Sequence, residues 1–580
     1  MPHLDELRVR MEKEGIYAYY IPSSDFHMSE YTSGYFKVRE FFSGFTGSAG
    51  NLLVTQDEAC LWTDGRYFIQ AQKELEGSGI TLMRSGVEGV PSVEEYLKEH
   101  MPEDGILGFD GRAVSAAEAL KLKASVPSHK LSFRKDLSEG IFHRPGFPVS
   151  GIEVLDVSLT GESSVDRIAR LREELKKLKC DGIFISKLEE TAYLFNIRAE
   201  DIEYTPVPMS YSYIDQNRAY IFLKDKKADT GYPGAVIKPY DEIYDFLKSG
   251  RVSGRVLLDK SSVNYRCYRL IKKRAKIREG TSPVLLMKAV KNPVETEHIK
   301  KIYHKDSVQL TRFIRWITST GTEETEVSAA DRLLYFRQQI PEFRGLSFAT
   351  IAASGDNAAI IHYEPGSGHE RTIEKRGLFM VDSGGQYTGG TTDVTRTIVM
   401  GDLTEEERED FTEVACGMLR ILYARFPKGT SGADLDILAR EHMWKRGIDY
   451  RHGTGHGVGY MLSVHEGPQS ISRRSSGKSA ELCPGMLISD EPGIYREGKH
   501  GVRIENILLV EEDDKTEYGQ FYRFCSLTRV PIDDRGMDRS RMSDEEIEMY
   551  ERYQCETIEA LSGDLNADEM SWLREYCGQK

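Results

Sequence analysis

Four carboxylates and one imidazole in the last third of this 580-residue chain lie in glycine-rich or strand-like segments. They are Asp382, Asp393, His456, Glu491 and Glu505. Two divalent cations bring a charge of about +4 and four carboxylates bring about −4, so this set would neutralise a pair of metal ions. Oxygen-rich ligation favours Mn²⁺-like ions, and a paired metal site activates water. The five residues therefore predict a two-metal hydrolytic site.

Residues 377–397 predict a hairpin that holds two of these carboxylates. An apolar strand, a turn rich in glycine and a β-branched strand follow one another. If the turn is centred on Tyr387 and Thr388, Asp382 faces Asp393 with Cβ atoms about 4.5–5.5 Å apart. Like charges at that separation destabilise a sheet unless a cation lies between them. A solvated acidic hairpin whose register differs by one or two residues is the alternative.

The other candidate residues are histidines and an arginine. His456 follows His452 in a glycine-rich segment, where glycines let a ligand approach the main chain. His362 and His465 lie in apolar surroundings and could donate to a substrate, although each could also be a buried core histidine. Period-two alternation in 502–510 predicts a strand that carries Arg503 and Glu505 on one face, which fits either a site or a structural salt bridge.

Length and composition indicate a multidomain globular protein. A chain of 580 residues exceeds what one hydrophobic core usually organises. Short apolar runs alternate with amphipathic segments through the first 150 residues, and the two prolines of 143–148 suggest a linker. We place domains at 1–150, 151–290 and 291–580. Because 164–196 loosely echoes 11–31, the first two domains could be structural repeats, although chance similarity is nearly as plausible.

Composition also narrows the possible partners. A net charge of −15 opposes binding to phosphate backbones, so nucleic acid is not an expected partner. No apolar run approaches the roughly 18 residues of a membrane span, and the N-terminus lacks a signal-peptide profile. The eight cysteines show no disulfide or CxxC spacing. We therefore expect a cytoplasmic protein that does not bind a membrane.

Taken together, the motifs resemble the pita-bread metallopeptidases, most closely the long three-domain form of aminopeptidase P. Segments 42–50 and 62–68 look like the first domain of that form, and 193–198 looks like its middle domain. Seven further motifs match in order and spacing, at 361–363, 382–384, 392–397, 452–456, 464–468, 490–493 and 503–506. The resemblance implies a fold of α/β and α+β class, in which two creatinase-like N-terminal α/β domains precede a pita-bread catalytic domain.

The same resemblance implies a role for each candidate residue. Asp382 would bind one metal, Asp393 and Glu505 would bridge both, and His456 and Glu491 would bind the second. A hydroxide shared by the metals would be the nucleophile, and Glu491 would accept the proton of the attacking water. His362 and His465 would contact the substrate carbonyl region and stabilise the tetrahedral intermediate, while Arg503 would orient the site.

The resemblance thus predicts an aminopeptidase that hydrolyses the N-terminal Xaa-Pro bond of peptides. Mn²⁺ is the expected metal, with Co²⁺ or Zn²⁺ as alternatives, and the helical segments 544–565 and 567–576 could contribute to a homodimer. The first rival is a prolidase, which splits only Xaa-Pro dipeptides. The second is a catalytically inactive pita-bread protein that acts as a binding module; retention of all five ligand types counts against it.

Overall fold

In a computed structural model of the chain, the structure describes residues 2–224, 234–320, 324–366, 368, 370–473 and 480–579. The chain forms two units, Met1–Leu285 and Leu286–Lys580. Helices and strands alternate in both, which confirms the predicted α/β and α+β class. Within the described residues, no helix has the length and apolar character needed to cross a membrane.

The first unit contains two successive α/β halves. The elements of the first half are α1 Pro2–Lys13, β1 Ala18–Pro22, α2 Val38–Ser43, β2 Asn51–Thr55, β3 Ala59–Thr63, α3 Phe68–Glu74, β4 Thr81–Arg84, α4 Val93–His100, β5 Leu107–Gly108, α5 Ala116–Ser125 and β6 Leu131–Ser132. Those of the second half are β7 Glu153–Val154, α6 Val157–Thr160, α7 Ser164–Lys177, β8 Gly182–Ile185, α8 Leu188–Leu194, β9 Ile197–Arg198, β10 Ser210–Asp215, β11 Ala219–Leu223, β12 Val236–Pro239, α9 Ile243–Lys248, β13 Arg255–Leu258, α10 Tyr265–Lys272 and β14 Lys276–Glu279.

The two halves are structural repeats, as the sequence echo suggested. The first sheet has the order β4-β3-β2-β1-β5-β6 and the second the order β12-β11-β10-β8-β13-β14. Strand directions match as well, because β1 and β8 each pair antiparallel on one side and parallel on the other. Residues 143–152 between the halves, where the first domain boundary is predicted, form neither helix nor strand.

The second unit carries every predicted site residue. Its helices are α11 Pro283–Ala289, which begins just before the unit, α12 Pro293–Thr320, α13 Glu326–Arg337, α14 Glu405–Leu422, α15 Gly432–Lys445, α16 Asp544–Leu561 and α17 Ala567–Tyr576. Its strands are β15 Phe343–Leu346, β16 Ile351–Ser354, β17 Leu378–Ser383, β18 Gly385–Tyr387, β19 Gly390–Thr391, β20 Val394–Val399, β21 Arg425–Pro427, β22 Gly455–Gly457, β23 Glu466–Ile471, β24 Leu487–Asp490, β25 Gly493–Arg496, β26 His500–Arg503, β27 Asn506–Thr516 and β28 Gly519–Ser526.

Capping boxes start the long helices of this unit. Asn292 accepts from the Glu295 backbone at 3.0 Å, and the Glu295 carboxylate accepts from the Asn292 backbone at 3.2 Å. Thr404 and Glu407 form the same reciprocal pair at α14. Helices α12 and α13 then pack apolar residues such as Phe313 against β17 and β20. These helices cover one face of the three-stranded sheet β16-β17-β20 that carries Asp382.

The predicted hairpin is present, but its predicted register is wrong by two residues. Asp382 lies opposite Thr395 rather than Asp393, because the two-residue turn is Thr388 and Gly389, with Gly389 at a φ of 105°. Side chains on a strand alternate with a period of two, so this shift leaves both carboxylates on the same face. Asp393 is therefore a diagonal neighbour of Asp382 instead of a direct one.

The predicted continuous strand over 502–510 is interrupted. Strand β26 ends at Arg503 in the sheet β25-β26, and β27 begins at Asn506 in a six-stranded sheet. Between them, the Glu505 backbone donates to the Thr395 carbonyl at 3.1 Å, so the chain crosses to β20 at this point. The interruption places Glu505 where three sheets meet.

Arg396, on β20, fixes this crossing from behind the site. Arg396 is 1% exposed, and its five N–H groups lie within hydrogen-bond distance of six acceptors, including the Glu505 carbonyl at 2.6 Å and the Tyr553 hydroxyl on α16 at 2.7 Å. None of the six acceptors is a carboxylate. Helix α16 is thereby linked to the segment that carries Glu505.

We expect Arg396→Met to lower the free energy of unfolding by about 3 kcal/mol or more, because several buried carbonyls would lose their donor. Urea denaturation in excess chelator measures this without a contribution from metal binding. The control is Arg523→Met, whose side chain is 58% exposed and which should change stability by less than about 0.5 kcal/mol. Equal effects of the two substitutions would contradict the role of Arg396.

Candidate metal centre

The structure brings the five predicted ligands together. Ligand atoms lie within 4.8 Å of one another in three overlapping groups: Asp382 with Asp393 and Glu505, His456 with Glu491 and Glu505, and Asp393 with His456 and His465. The overlap arises because Asp393, His456 and Glu505 each belong to two groups. Such an arrangement has room for neighbouring cations with shared ligands, although the role of each residue stays a prediction.

Each ligand comes from a different place in the fold. Asp382 lies near the end of β17, His456 on β22, and the other three in the short connections that follow β19, β24 and β26. Glycine permits the close approach of these segments. A Cβ at Gly384 would lie 1.9 Å from the Thr392 carbonyl oxygen, and one at Gly455 would lie 1.9 Å from the Ser489 carbonyl oxygen. Gly384 and Gly455 are therefore required by packing.

The hydrogen bonds of His456 prepare its ring for a cation. Nδ1 lies 2.9 Å from the Gly457 carbonyl, which can only accept, so Nδ1 carries the proton in the neutral ring. Nε2 then presents a lone pair towards Asp393 at 3.5 Å and Glu491 at 3.4 Å. A lone pair facing two carboxylates is repulsive unless a positive charge lies between them. This geometry fits a metal ion.

The geometry of the four carboxylates also favours a positive charge at the cluster. Asp382 Oδ1 and Glu505 Oε1 are buried and accept no hydrogen bond from the described residues. Burial, reinforced by repulsion from neighbouring carboxylates, raises the pKa values of Asp393 and Glu505, and it raises the pKa of Glu491 to about 7. Cations at the cluster would coordinate these two oxygens and offset the repulsion between the carboxylates.

Arg503 provides the one guanidinium that contacts this cluster in the described residues. It donates to Asp382 Oδ2 at 2.7 Å, so the salt bridge with Glu505 that the sequence allowed is not formed. Its Nη1 also donates to the Tyr495 hydroxyl at 2.7 Å, and that hydroxyl lies 2.8 Å from His452 Nε2. Burial, followed by the positive charge of Arg503, lowers the pKa of His452 to about 3, so this ring is a neutral acceptor.

His362 is half-buried in a segment that a buried carboxylate organises. Glu326, fully buried at the start of α13, accepts from the Ser354 backbone at 2.6 Å and from the Tyr363 hydroxyl at 2.7 Å. The Ser354 hydroxyl, the Asn357 amide and the Arg371 backbone donate to it as well. The Ile361 carbonyl, next to His362, accepts from Arg503 at 3.4 Å. His362 is thus held beside the cluster.

His465 lies next to a second buried carboxylate, that of Glu466. Its neighbour Glu466 is 1% exposed and accepts from Lys288 at 2.7 Å and from the fully buried Lys291. Lys291 also donates to the Val458 carbonyl at 2.6 Å, two residues beyond His456. The rings of His456 and His465 lie edge to face with centroids 4.4 Å apart. The two lysines therefore fix the segment that carries both histidines.

Sequence reasoning missed these supporting residues. Glu326 looks like an ordinary acidic residue in the first turn of a helix, and Lys291 like a solvated lysine before a cap. Their partners are at least 28 residues away, so no local pattern identifies them. His452 begins the motif at 452–456 and Tyr495 lies two residues after the motif at 490–493, and these positions were the one available signal.

Models of known protein families match almost the whole chain. Metallopeptidase family M24 matches residues 297–512, and the C-terminal region of that peptidase family matches 520–579. The creatinase/prolidase N-terminal domain matches twice, at 3–137 and at 143–295. The two matches of this domain coincide with the two repeated halves of the first unit.

Individual relatives are similar over their full length. A probable Xaa-Pro aminopeptidase P from Laccaria bicolor is 37% identical over 99% of this chain and 92% of its own length. Xaa-Pro aminopeptidase 1 from Dictyostelium discoideum is 36% identical over 98% and 95%. The X-prolyl aminopeptidase of Caenorhabditis elegans, a cytosolic enzyme with a di-nuclear active site, superposes with a TM-score of 0.93 at 33% identity over 99% of both chains.

The charge of the cluster predicts how pH affects stability once cations are removed. The pKa of Glu491 is about 7 in the folded chain against an ordinary value of 4.5, so the folded state binds more protons between these values. The free energy of unfolding should therefore fall as pH rises from about 5 to about 8. Denaturation in chelator measures the slope, and Glu491→Gln should make it shallower. An unchanged slope in the variant would contradict the conclusion that the raised pKa of Glu491 causes the pH dependence.

Proposed function

The chain belongs to metallopeptidase family M24, with two creatinase-like N-terminal domains before a pita-bread domain, and from this premise we propose that it is a metal-dependent Xaa-Pro aminopeptidase. The observation that carries the proposal is the convergence of the five ligands in overlapping groups. Full-length relatives named Xaa-Pro aminopeptidase support the substrate class, which is peptides with proline at the second position. We also propose domains at 1–150, 151–290 and 291–580.

Two divalent cations would be held by five residues: Asp382, Asp393, His456, Glu491 and Glu505. When bound, they would lower the pKa of a water molecule and polarise the scissile carbonyl. The di-nuclear site of the C. elegans relative supports the number of ions. We propose Mn²⁺ because four of the five ligands are carboxylates, with Co²⁺ and Zn²⁺ as the alternatives.

One of the ligands, Glu491, would also move a proton, and two histidines outside the proposed ligand set would orient the substrate. Glu491 would accept the proton of the attacking water, while Ser489 holds its Oε1 with a 3.2 Å hydrogen bond. His362 and His465 would donate hydrogen bonds to the substrate carbonyl region, where negative charge develops in the transition state. Each histidine is half-buried and lies on an anchored segment, so little reorganisation is needed for it to donate.

Arg503 would keep Asp382 in its binding orientation. Because the His452 Nδ1 proton points at the Gly453 carbonyl, 2.7 Å away, His452 Nε2 accepts the Tyr495 hydroxyl proton. The Tyr495 oxygen is then left to accept from Arg503. Each donor in this hydrogen-bond network is therefore fixed: Tyr495 donates to His452, and Arg503 donates to Tyr495 and to Asp382. Arg503 thus acts as a positioning residue.

An aminopeptidase is favoured over a prolidase by the extent of the similarity. The Xaa-Pro dipeptidase of Bacillus anthracis has a TM-score of 0.51 and covers 64% of this chain at 24% identity, which shows a shared fold alone. The three aminopeptidases compared above, from L. bicolor, D. discoideum and C. elegans, cover 98% or more of the chain. We further propose a cytoplasmic location, supported by the cytosolic C. elegans relative, and a homodimer, which rests on resemblance alone.

We expect protein stripped with chelator and reloaded with Mn²⁺ to release arginine from Arg-Pro-Pro and to leave Pro-Pro intact. Asp393→Asn should reduce kcat/KM by more than about a hundredfold, because a shared ligand is lost. Asp402→Asn, an exposed acid beyond the same hairpin, is the matched control and should keep full activity. Cleavage of an Xaa-Pro dipeptide without cleavage of the tripeptide would favour a prolidase, and inactivity on both would favour a binding protein.

The Glu326 anchor can be tested by an isosteric change. Glu326→Gln turns one acceptor oxygen into a donor that faces other donors, so the segment with His362 should shift, and kcat/KM should fall at least about tenfold. Metal content should stay at the wild-type level because Glu326 is outside the ligand set. Glu324→Gln is the control, because among the described residues the Glu324 carboxylate accepts a side-chain hydrogen bond only from the Ser328 hydroxyl. Loss of metal together with activity would contradict a role confined to His362.

A further inference from the structure

A cleft in the first unit concentrates positive charge on an acidic protein. The net charge of the chain is −15, yet residues 266–278 contain seven cationic side chains and no acidic one. Four of the seven, together with residues of neighbouring segments, line a cleft of about 650 Å³ that contains a single acidic residue, Asp181. We call this the basic cleft; its cations are Lys179, Arg255, Lys272, Lys273, Arg274 and Lys276.

The basic cleft lies at the end of the second repeat where three parallel strands begin. Lys179 precedes β8, Arg255 starts β13, and Lys276 starts β14. The other three cations form the end of α10 and the connection from it to β14. All six side chains are exposed, so each can reach a ligand in the cleft.

These cations are not neutralised by the protein. Within the part of the chain that the structure describes, none of the six forms an ion pair with a carboxylate. Asp181 can offset only one of the six positive charges, and its carboxylate is held away from the cationic side chains by a hydrogen bond from the Arg255 backbone at 2.7 Å. By contrast, the nearby Lys176 and Lys177 each pair with a glutamate three residues earlier, at 2.6 and 2.7 Å.

The fold itself does not require this charge, since the first repeat lacks it. Cations at helix ends and on edge strands often serve helix dipoles or prevent edge pairing. In the first repeat, however, the segments before β1 and β5 carry Glu14, Glu103 and Asp104, and Glu14 pairs with Lys135 at 2.6 Å. The connection from α5 to β6 has one lysine, Lys130, where the second repeat has Lys273 and Arg274. The same architecture is thus built without a basic cleft.

We infer that the basic cleft binds a compact anion with several phosphate groups. Arg255 and Arg274 can each hold a phosphate with two parallel hydrogen bonds, and the four lysines add point charges around it. The volume of about 650 Å³ corresponds to a small molecule. Such a group of phosphates occurs both in free polyphosphorylated metabolites and in phosphorylated inositol-lipid headgroups. The inference is independent of the proposed peptidase activity.

Calorimetry with inorganic tripolyphosphate tests the proposal on the full-length protein. Wild-type protein should bind, and the double substitution Lys273→Gln with Arg274→Gln should weaken binding about tenfold or more. The control, Lys176→Gln with Lys177→Gln, removes the same charge from two paired lysines of the same repeat and should bind like the wild type. Both variants should retain the wild-type thermal unfolding midpoint, which shows that they fold.

Two further arms separate the sources of the phosphate groups. Co-sedimentation with phosphatidylcholine vesicles that contain phosphatidylinositol bisphosphate would identify a lipid headgroup, while binding to tripolyphosphate alone would identify a free anion; either supports the proposal. Equal weakening in both double variants would show that only net charge matters. That result, binding of neither tripolyphosphate nor the inositol-lipid vesicles, or binding only of a single-stranded oligonucleotide would overturn it.

Discussion

Four carboxylates packed within a few ångströms of one another are the constraint that shapes the second unit. Their mutual repulsion in a buried site opposes folding, and Arg503 offsets only one negative charge by its contact with Asp382. Burial, together with repulsion from neighbouring carboxylates, raises the pKa values of Asp393, Glu491 and Glu505. A site of this kind is stable in its ionised form only with cations. At the proposed site, metal binding would therefore also stabilise the ionised carboxylates.

This constraint explains why the surrounding structure is so heavily hydrogen-bonded. The segments that carry His362 and His465 contact the site through Arg503 and His456, and each is also anchored by a buried carboxylate of its own. Glu326 is satisfied by five donor groups and no cation, whereas Glu466 is neutralised by two buried lysines. Both arrangements place a negative charge away from the metal cluster, where it adds little to the repulsion among the ligands.

Much of the site could be predicted from the sequence because its ligands lie in short motifs. The residue types and the hairpin between Asp382 and Asp393 followed from local patterns, but the register did not, since the sheet change at Gly384 depends on contact with Thr392. The break between Arg503 and Glu505 likewise depends on β20, more than a hundred residues earlier. The anchoring role of Glu326 could not be predicted from the sequence, because it depends on donors that are distant along the chain.

The two repeated halves of the first unit show which charged residues the fold requires and which it does not. Two halves with the same strand order and directions differ at one end, where one has acidic residues and an ion pair and the other has six unpaired cations among the described residues. Since the backbone architecture tolerates both, the charge difference reflects a use rather than a folding requirement. Unneutralised charge gathered in one cleft costs stability through self-repulsion, and a bound anion would remove that cost. The repeat thus serves as an internal control that separates structural from functional charge.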